Sequence, residues 1–169
     1  MEVQCWFVVR AKYQTEKKIR AYFESLFVEY FIPFRKVKVE QRGKRVEKEK
    51  PVIPGLLFIR TDYSSALMIA NESKIRFSYL RSLGSGKLLV VPDKQMEDFM
   101  FLLNFSETAV HISNDHLKKG DRVRVVQGDF AGIEGELIRI KGHKRVVVRL
   151  EGLFSLATTY IPSNYLEKI

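Results

Sequence analysis

The chain has 169 residues, 46% of them hydrophobic and 12% aromatic, which is sufficient for one ordinary core or two small ones. This composition argues against a disordered chain, and no run of about 18 apolar residues is present that would predict a membrane-spanning helix. The 29 lysine and arginine residues against 20 acidic residues give a net charge of +9, which favours a polyanionic partner such as nucleic acid.

The start of the sequence and its cysteine content predict the compartment. The first residues lack the basic and apolar pattern of a secretion signal. The single cysteine, Cys5, cannot form an internal disulfide, which agrees with a reducing compartment. We therefore expect a cytoplasmic protein without membrane contact.

The first hundred residues predict a mixed α and β domain. Apolar residues at helical spacing follow Thr15, a candidate N-cap, and predict a first helix. A second helix is expected at 64–71, and Pro92 begins a third, since a missing N–H is tolerated in the first turn. Apolar segments that predict strands lie at 6–11, 30–39, 56–59, 77–82 and 88–91. This order predicts a compact α/β sandwich.

Residues 35–50 are mostly charged and predict a projecting hairpin with Gly43 at its tip. Eight lysine and arginine side chains lie in this segment: Arg35, Lys36, Lys38, Arg42, Lys44, Arg45, Lys48 and Lys50. They are consistent with a solvated ribbon, or with contacts to nucleic-acid phosphates.

The last part of the chain predicts a second domain. Residues 106–117 are polar and aperiodic, which is typical of a linker. Residues 118–169 predict five short strands and a small SH3-like barrel. The predicted domains are therefore 1–105 and 118–169, joined by the linker.

Catalytic and metal-binding patterns are absent from the sequence. His111, His116 and His143 fall in the predicted linker and a turn, without the spacing of metal ligands. Cys5 lies beside Trp6 in a predicted strand and is interpreted as a core residue. We therefore expect no metal, no cofactor and no enzymatic activity.

Two segments have both a structural and a functional interpretation. Tyr79 between Arg76 and Arg81 is interpreted either as core or as a ring that stacks on an unpaired base while the guanidinium groups hold phosphates. The apolar segment 51–58 is either core or the wall of a groove for a partner helix. Ile53, Leu56 and Trp6 would form that wall.

Several motifs together resemble one family. Residues 118–140 contain two alternating runs around a loop with Gly128, Phe130 and Gly132, and this spacing resembles the KOW motif. Trp6-Phe-Val-Val-Arg-Ala followed by Glu16, and Pro54-Gly-Leu-Leu-Phe-Ile, resemble the N-terminal domain of NusG-type transcription elongation factors. The stretches 9–14, 77–81 and 91–99 are similar to the UpxY-type antiterminators of capsular polysaccharide operons in Bacteroides.

The resemblance implies an α+β fold, with a ferredoxin- or RRM-like N-terminal sandwich and a C-terminal SH3-like KOW barrel. It also implies a monomeric, operon-specific antitermination factor that binds the clamp helices of the largest RNA polymerase subunit and suppresses pausing or termination. The operon would be a surface polysaccharide locus. A KOW-containing ribosomal or RNA-binding protein is the alternative.

The resemblance also implies roles for individual residues, which differ by partner. RNA polymerase would be bound by Trp6, Ile53 and Leu56, although many relatives have an aromatic residue where this chain has Leu56. Non-template DNA or the nascent leader RNA would be bound by Lys12, Arg76, Tyr79 and Arg81. Ribosomal protein S10 or Rho would dock on the KOW domain at Phe130, Ala131 and Ile133.

Overall fold

A computed structural model describes residues 2–105, 110–113, 120–150 and 153–169 of the chain. The chain divides into two compact units, Met1–Val91 and Pro92–Ile169. Each unit is described by itself.

The first unit is a mixed α and β structure. Its elements are β1 (Cys5–Ala11), α1 (Glu16–Ser25), β2 (Glu29–Phe31), β3 (Phe34–Gln41), β4 (Lys44–Pro51), β5 (Leu56–Thr61), α2 (Tyr63–Glu72), β6 (Phe77–Tyr79) and β7 (Val90–Val91). Strands β2, β5, β1 and β6 pair in that order in an antiparallel sheet, and β7 also pairs with β1. Strands β3 and β4 form a separate two-stranded ribbon. The predicted α and β character of this region is confirmed.

Strand alternation places the core of the first unit. Phe7 and Val9 of β1 pair with Ile59 and Leu57 of β5, so their side chains share one face of the sheet. That face packs into a core cluster with helix residues such as Phe23, and the five side chains named here are at most 2% exposed. Burying an aromatic or aliphatic side chain of this size contributes about 1.5–3 kcal/mol, so these contacts hold the helices on the sheet.

A tight junction at Gly55 joins β1, α1 and the start of β5. The Ala11 N–H donates to the Gly55 carbonyl at 2.8 Å, and the Gly55 N–H donates to the buried Glu16 carboxylate at 2.8 Å. Gly55 has a φ of +76°, and a Cβ atom at this position would lie 2.5 Å from the Ala11 carbonyl oxygen. Only glycine allows this approach, because any side chain would push the two backbones apart.

The second unit consists of one α-helix and a six-stranded antiparallel sheet. Its elements are α3 (Asp93–Leu103), β8 (Val110–Ser113), β9 (Asp121–Val125), β10 (Glu134–Ile140), β11 (His143–Leu150), β12 (Phe154–Thr158), a 3₁₀ turn (Ser163–Tyr165) and β13 (Leu166–Lys168). The strands pair in the order β13, β9, β10, β11, β12, β8. The β character predicted for 118–169 is present, while closure into an SH3-like KOW barrel stays a prediction.

The division of the chain differs from the predicted boundary at residue 105. Helix α3 belongs to the second unit, where its Met96, Phe99 and Leu102 side chains are buried. The sequence pattern predicted this helix and its apolar stripe, but such a stripe does not specify which surface it will cover. The predicted linker 106–117 also differs from the structure, because β8 lies within it and pairs with β12. Residues 106–109 and 114–117 of that linker lie outside the described residues.

Replacing Gly55 with alanine tests the junction. Gly43, at the tip of the β3–β4 ribbon, is a matched control, since its φ is +73° but a Cβ there would meet nothing within 4 Å. We expect Gly43→Ala to lower the free energy of unfolding by about 1–2 kcal/mol through backbone strain alone. Gly55→Ala should lower it by about 3 kcal/mol, since the backbones must also separate.

Urea unfolding followed by Trp6 fluorescence measures this difference. Trp6 is the single tryptophan of the chain and lies in β1, so its signal reports on the first unit. Equal losses for the two variants would show that the close approach at Gly55 contributes nothing.

Candidate functional site

The three residues predicted to bind RNA polymerase differ in exposure. Trp6 is 5% exposed and Leu56 is 1% exposed, so both side chains are buried in this structure. Ile53 is half-buried and lies in the turn before Gly55, where its carbonyl accepts the Leu56 N–H at 3.2 Å. Ile53 is thus the one member of this set with a substantially accessible side chain. The sequence showed that these residues are apolar, but apolar character does not distinguish a buried face from an exposed one.

Tyr79 is half-buried against the core cluster of the first unit, and the stacking of its ring on a base stays a prediction. Its ring centroid lies 6.1 Å from that of Phe7 and 5.9 Å from that of Phe77, and both pairs are edge-to-face. Burial raises the pKa of the Tyr79 hydroxyl above its ordinary value, with a smaller contribution from Tyr22. These contacts cover part of the ring, and the side chain as a whole is half-buried. The period-2 pattern of β6 already favoured the core interpretation.

The three cations predicted to bind nucleic acid are all exposed, but they do not form one cluster. Ala11 pairs with Phe77 in antiparallel register. Lys12, just after Ala11, and Arg76, just before Phe77, therefore lie at the same end of the β1–β6 pair. Arg81 lies five residues further along, roughly 15 Å at the rise of an extended chain. Its guanidinium donates to the Gly86 carbonyl at 2.8 Å, which ties it to the 82–87 loop.

Arg10 is a residue that the sequence interpretation missed. It is exposed and pairs with Ser78 across β1 and β6, two positions before Lys12 on the same face. Arg10 therefore extends the positive charge of Lys12 and Arg76 along this end of the sheet. Its position in the sequence could have indicated this role, because Arg10 is the first charged residue after the four apolar residues that β1 buries.

The three residues predicted to bind a KOW partner differ in exposure. Ile133 is 1% exposed and its carbonyl accepts the Val125 N–H at 2.9 Å, so its side chain is buried in this structure and its role toward a partner stays a prediction. Phe130 is half-buried, with its ring centroid 4.7 Å from that of Phe105. Ala131 is exposed and is the member of the set that a partner can reach. The loop glycines let the chain turn, but their spacing did not reveal which neighbouring side chains point inward.

Helix α3 contacts the C-terminal end of this loop through the side chains of Lys94 and Asp98. The Lys94 ammonium donates to the Gly132 carbonyl at 2.9 Å and to the Asp98 carboxylate at 2.7 Å. The second oxygen of Asp98 accepts the Glu134 N–H at 3.2 Å. Burial raises the pKa of the Asp98 carboxyl above its ordinary value of 3.8, against the opposing effects of Lys94 and the Glu134 N–H.

The raised pKa of Asp98 predicts a pH dependence of stability. The folded protein holds this proton more tightly than the unfolded chain does. The resulting stabilisation is fully present below the unfolded pKa of 3.8 and is lost as pH rises through the higher folded pKa. The wild-type protein should therefore lose more stability than Asp98→Asn between about pH 3.5 and 6.5, because asparagine cannot ionise.

Calorimetric unfolding of the intact protein over this pH range measures the effect. Glu97→Gln is the control, because Glu97 is exposed on the same helix. A constant difference between the wild-type protein and Asp98→Asn across the range would contradict the prediction.

The described part of the chain holds few features of other kinds of site. No group of three or more histidine, cysteine, aspartate or glutamate side chains there is arranged to hold a metal ion. His143 packs its ring edge-on to Tyr160, with centroids 6.1 Å apart. Within the same residues, no helix combines the length and the apolar character needed to cross a membrane.

Comparison with known proteins identifies the family. Residues 4–100, more than half of the chain, match the family model described as transcription termination factor nusG. The chain belongs to the NusG family. This match covers β1 to β7 and most of α3, including Trp6, the Gly55 junction and the β3–β4 ribbon.

Curated relatives give a consistent result. The chain is 25% identical over 114 residues to the transcription termination/antitermination protein NusG of Streptococcus pyogenes serotype M1, and equally to that of serotype M18. The aligned part covers 67% of this chain and 63% of each relative, so it spans less than two thirds of their length.

Two solved structures align with nearly the whole of this chain. One, a structure of Thermotoga maritima NusG that concerns its domain interaction, has a TM-score of 0.48 at 18% identity and covers 99% of this chain and 98% of its own. The other, the MjSpt4:Spt5 complex in conformation B, has a TM-score of 0.29 at 15% identity and covers 97% of this chain and 96% of its own.

Proposed function

We propose that this NusG-family protein is an operon-specific transcription antitermination factor of the UpxY type that acts in a surface polysaccharide locus. The family match over residues 4–100 supports a role in transcription, and the stretches 9–14, 77–81 and 91–99 that are similar to UpxY-type antiterminators support the operon-specific part. In this proposal the protein binds the clamp helices of the largest RNA polymerase subunit from the turn that contains Ile53. It works in the cytoplasm as a monomer.

The exposed cations supply the second half of the proposed activity. Arg10, Lys12 and Arg76 lie together at one end of the β1–β6 pair, and Arg81 lies beyond the other end of β6. Cations spaced in this way bind phosphates without reading sequence directly, and they hold a single strand in register for other contacts. We assign them to non-template DNA or the nascent leader RNA close to the polymerase.

The proposed mechanism is non-catalytic. A factor that binds the processive polymerase more tightly than the paused one shifts the population toward the processive state. A coupling free energy of about 1–3 kcal/mol changes the occupancy of the pause roughly 5- to 150-fold, so a modest contact area is sufficient. In the same proposal, ribosomal protein S10 or Rho docks on the second unit at the loop that exposes Ala131.

Replacing Ile53 with aspartate tests the polymerase surface. The variant places a carboxylate in the proposed apolar contact, and we expect at least a tenfold loss of affinity for purified RNA polymerase, equivalent to about 1.4 kcal/mol. Leu83→Asp is the control, because Leu83 is fully exposed in another loop of the same unit. Affinity is measured by biolayer interferometry on immobilised polymerase. Unchanged affinity in Ile53→Asp would refute this surface, and ribosome co-sedimentation without polymerase binding would favour a ribosomal or RNA-binding protein.

Removing two of the clustered cations tests the nucleic-acid surface. The double variant Lys12→Ala/Arg76→Ala should reduce terminator readthrough on a responsive leader by about tenfold, because two phosphate contacts are lost, while its polymerase affinity stays unchanged. Lys17→Ala/Lys18→Ala is the control, since it removes the same charge from exposed positions of α1. Readthrough is measured by in-vitro transcription across candidate leaders. An equal reduction in both double variants would show a general charge effect and would contradict the assignment.

A further inference from the structure

The β3–β4 ribbon has two chemically different faces. Residues directly opposite each other in an antiparallel pair point to the same side, so the register assigns every side chain to a face. One face, which we call the paired face, carries Phe34/Pro51, Lys36/Glu49, Lys38/Glu47 and Glu40/Arg45. The other, which we call the lysine face, carries Arg35/Lys50, Val37/Lys48, Val39/Val46 and Gln41/Lys44.

All three acidic residues of the ribbon lie on the paired face, each opposite a cation. Such opposite-charge neighbours stabilise a ribbon and cancel its charge locally. The lysine face has no acidic residue, so the charges of Lys44, Lys48 and Lys50 are not cancelled on it. None of the ion pairs found among the described residues of the chain involves these three lysines. Arg35 shares the face at its base but has interactions within the protein, so it is not counted.

Contacts at the base of the ribbon orient the two faces. The Arg20 guanidinium of α1 donates to the Glu49 carboxylate at 3.2 Å, and it lies 4.3 Å from the centroid of the Phe34 ring. Both partners belong to the paired face, so that face is turned toward α1 at its base. The lysine face is the opposite side of the ribbon, and residues 40–50 are all exposed.

We propose that the lysine face of the β3–β4 ribbon binds the phosphate backbone of double-stranded DNA, with the ribbon lying in the major groove. This inference goes beyond the proposed function, because it concerns DNA binding by the protein alone and uses none of the cations assigned above. The partner is argued from charge complementarity and from shape.

The dimensions of the ribbon fit a B-form duplex. Two strands about 4.8 Å apart enter a major groove that is about 12 Å wide, whereas the major groove of an RNA helix is too deep and narrow for side chains to read. Residues 44–50 extend over about 20 Å, a length along which one DNA strand presents about six phosphates. The valines between the lysines carry no charge and suit the apolar surface of base edges such as the thymine methyl group.

The test compares two triple variants of the full chain that remove the same charge from opposite faces. Lys44→Gln/Lys48→Gln/Lys50→Gln changes the lysine face, and Lys36→Gln/Lys38→Gln/Arg45→Gln changes the paired face. Binding to a labelled 20-base-pair DNA duplex is measured by fluorescence anisotropy at several salt concentrations. A charge-retaining variant, Lys44→Arg/Lys48→Arg/Lys50→Arg, serves as the rescue, and Trp6 fluorescence confirms that each protein is folded.

The lysine-face variant should bind the duplex at least tenfold more weakly, and its slope of log affinity against log salt should decrease by about 2.7, or 0.9 for each lost phosphate contact. The paired-face variant should lose less than about threefold, and the arginine variant should bind like the wild-type protein. Equal losses in the two glutamine variants, or no loss in either, would overturn the proposal. Tighter binding of a 20-nucleotide single strand or of duplex RNA than of duplex DNA would overturn the assignment of the partner.

Discussion

The first unit depends on the close contact between Gly55 and Ala11. The Gly55 carbonyl accepts the Ala11 N–H, and the Gly55 N–H donates to the Glu16 carboxylate. Because Gly55 has no side chain, its backbone can lie close to that of Ala11. This junction aligns β1 with β5 and positions the start of α1. It also places Ile53 in the preceding turn and Lys12 just after β1. The proposed polymerase surface at Ile53 and the cation group at Lys12 are thus held by one hydrogen-bonded turn.

Strand register determines on which face the charged side chains of the first unit lie. A net charge of +9 says only that the chain has an excess of cations. Pairing cancels part of that charge on one face of the β3–β4 ribbon, and it collects the uncancelled lysines on the other. The Arg10, Lys12 and Arg76 group arises in the same way at the end of the β1–β6 pair. Phosphate binding depends on such local excess, because distant charges are screened within about 10 Å at ordinary salt concentrations.

In the second unit, packing covers some of the apolar side chains of the loop around Phe130. Ile133 enters the core, Phe130 lies against Phe105, and Lys94 and Asp98 of α3 hold the backbone beside them. An apolar loop residue lowers its free energy by leaving water wherever a neighbouring element provides an apolar surface. Phe105, which follows α3, provides such a surface for Phe130, while residues 126–129, 131 and 132 stay exposed.

The sequence by itself determined the helices, most strands, the turn at the ribbon tip and the family. These follow from local periodicity, from glycine at positive φ and from motif order, and all of them are short-range properties of the chain. Only the tertiary structure decided that Leu56 and Ile133 are buried, that α3 joins the second unit, and that the ribbon lysines share one face. Burial and strand register depend on partners distant in sequence, and no local pattern specifies which partner an apolar stripe or a strand will meet.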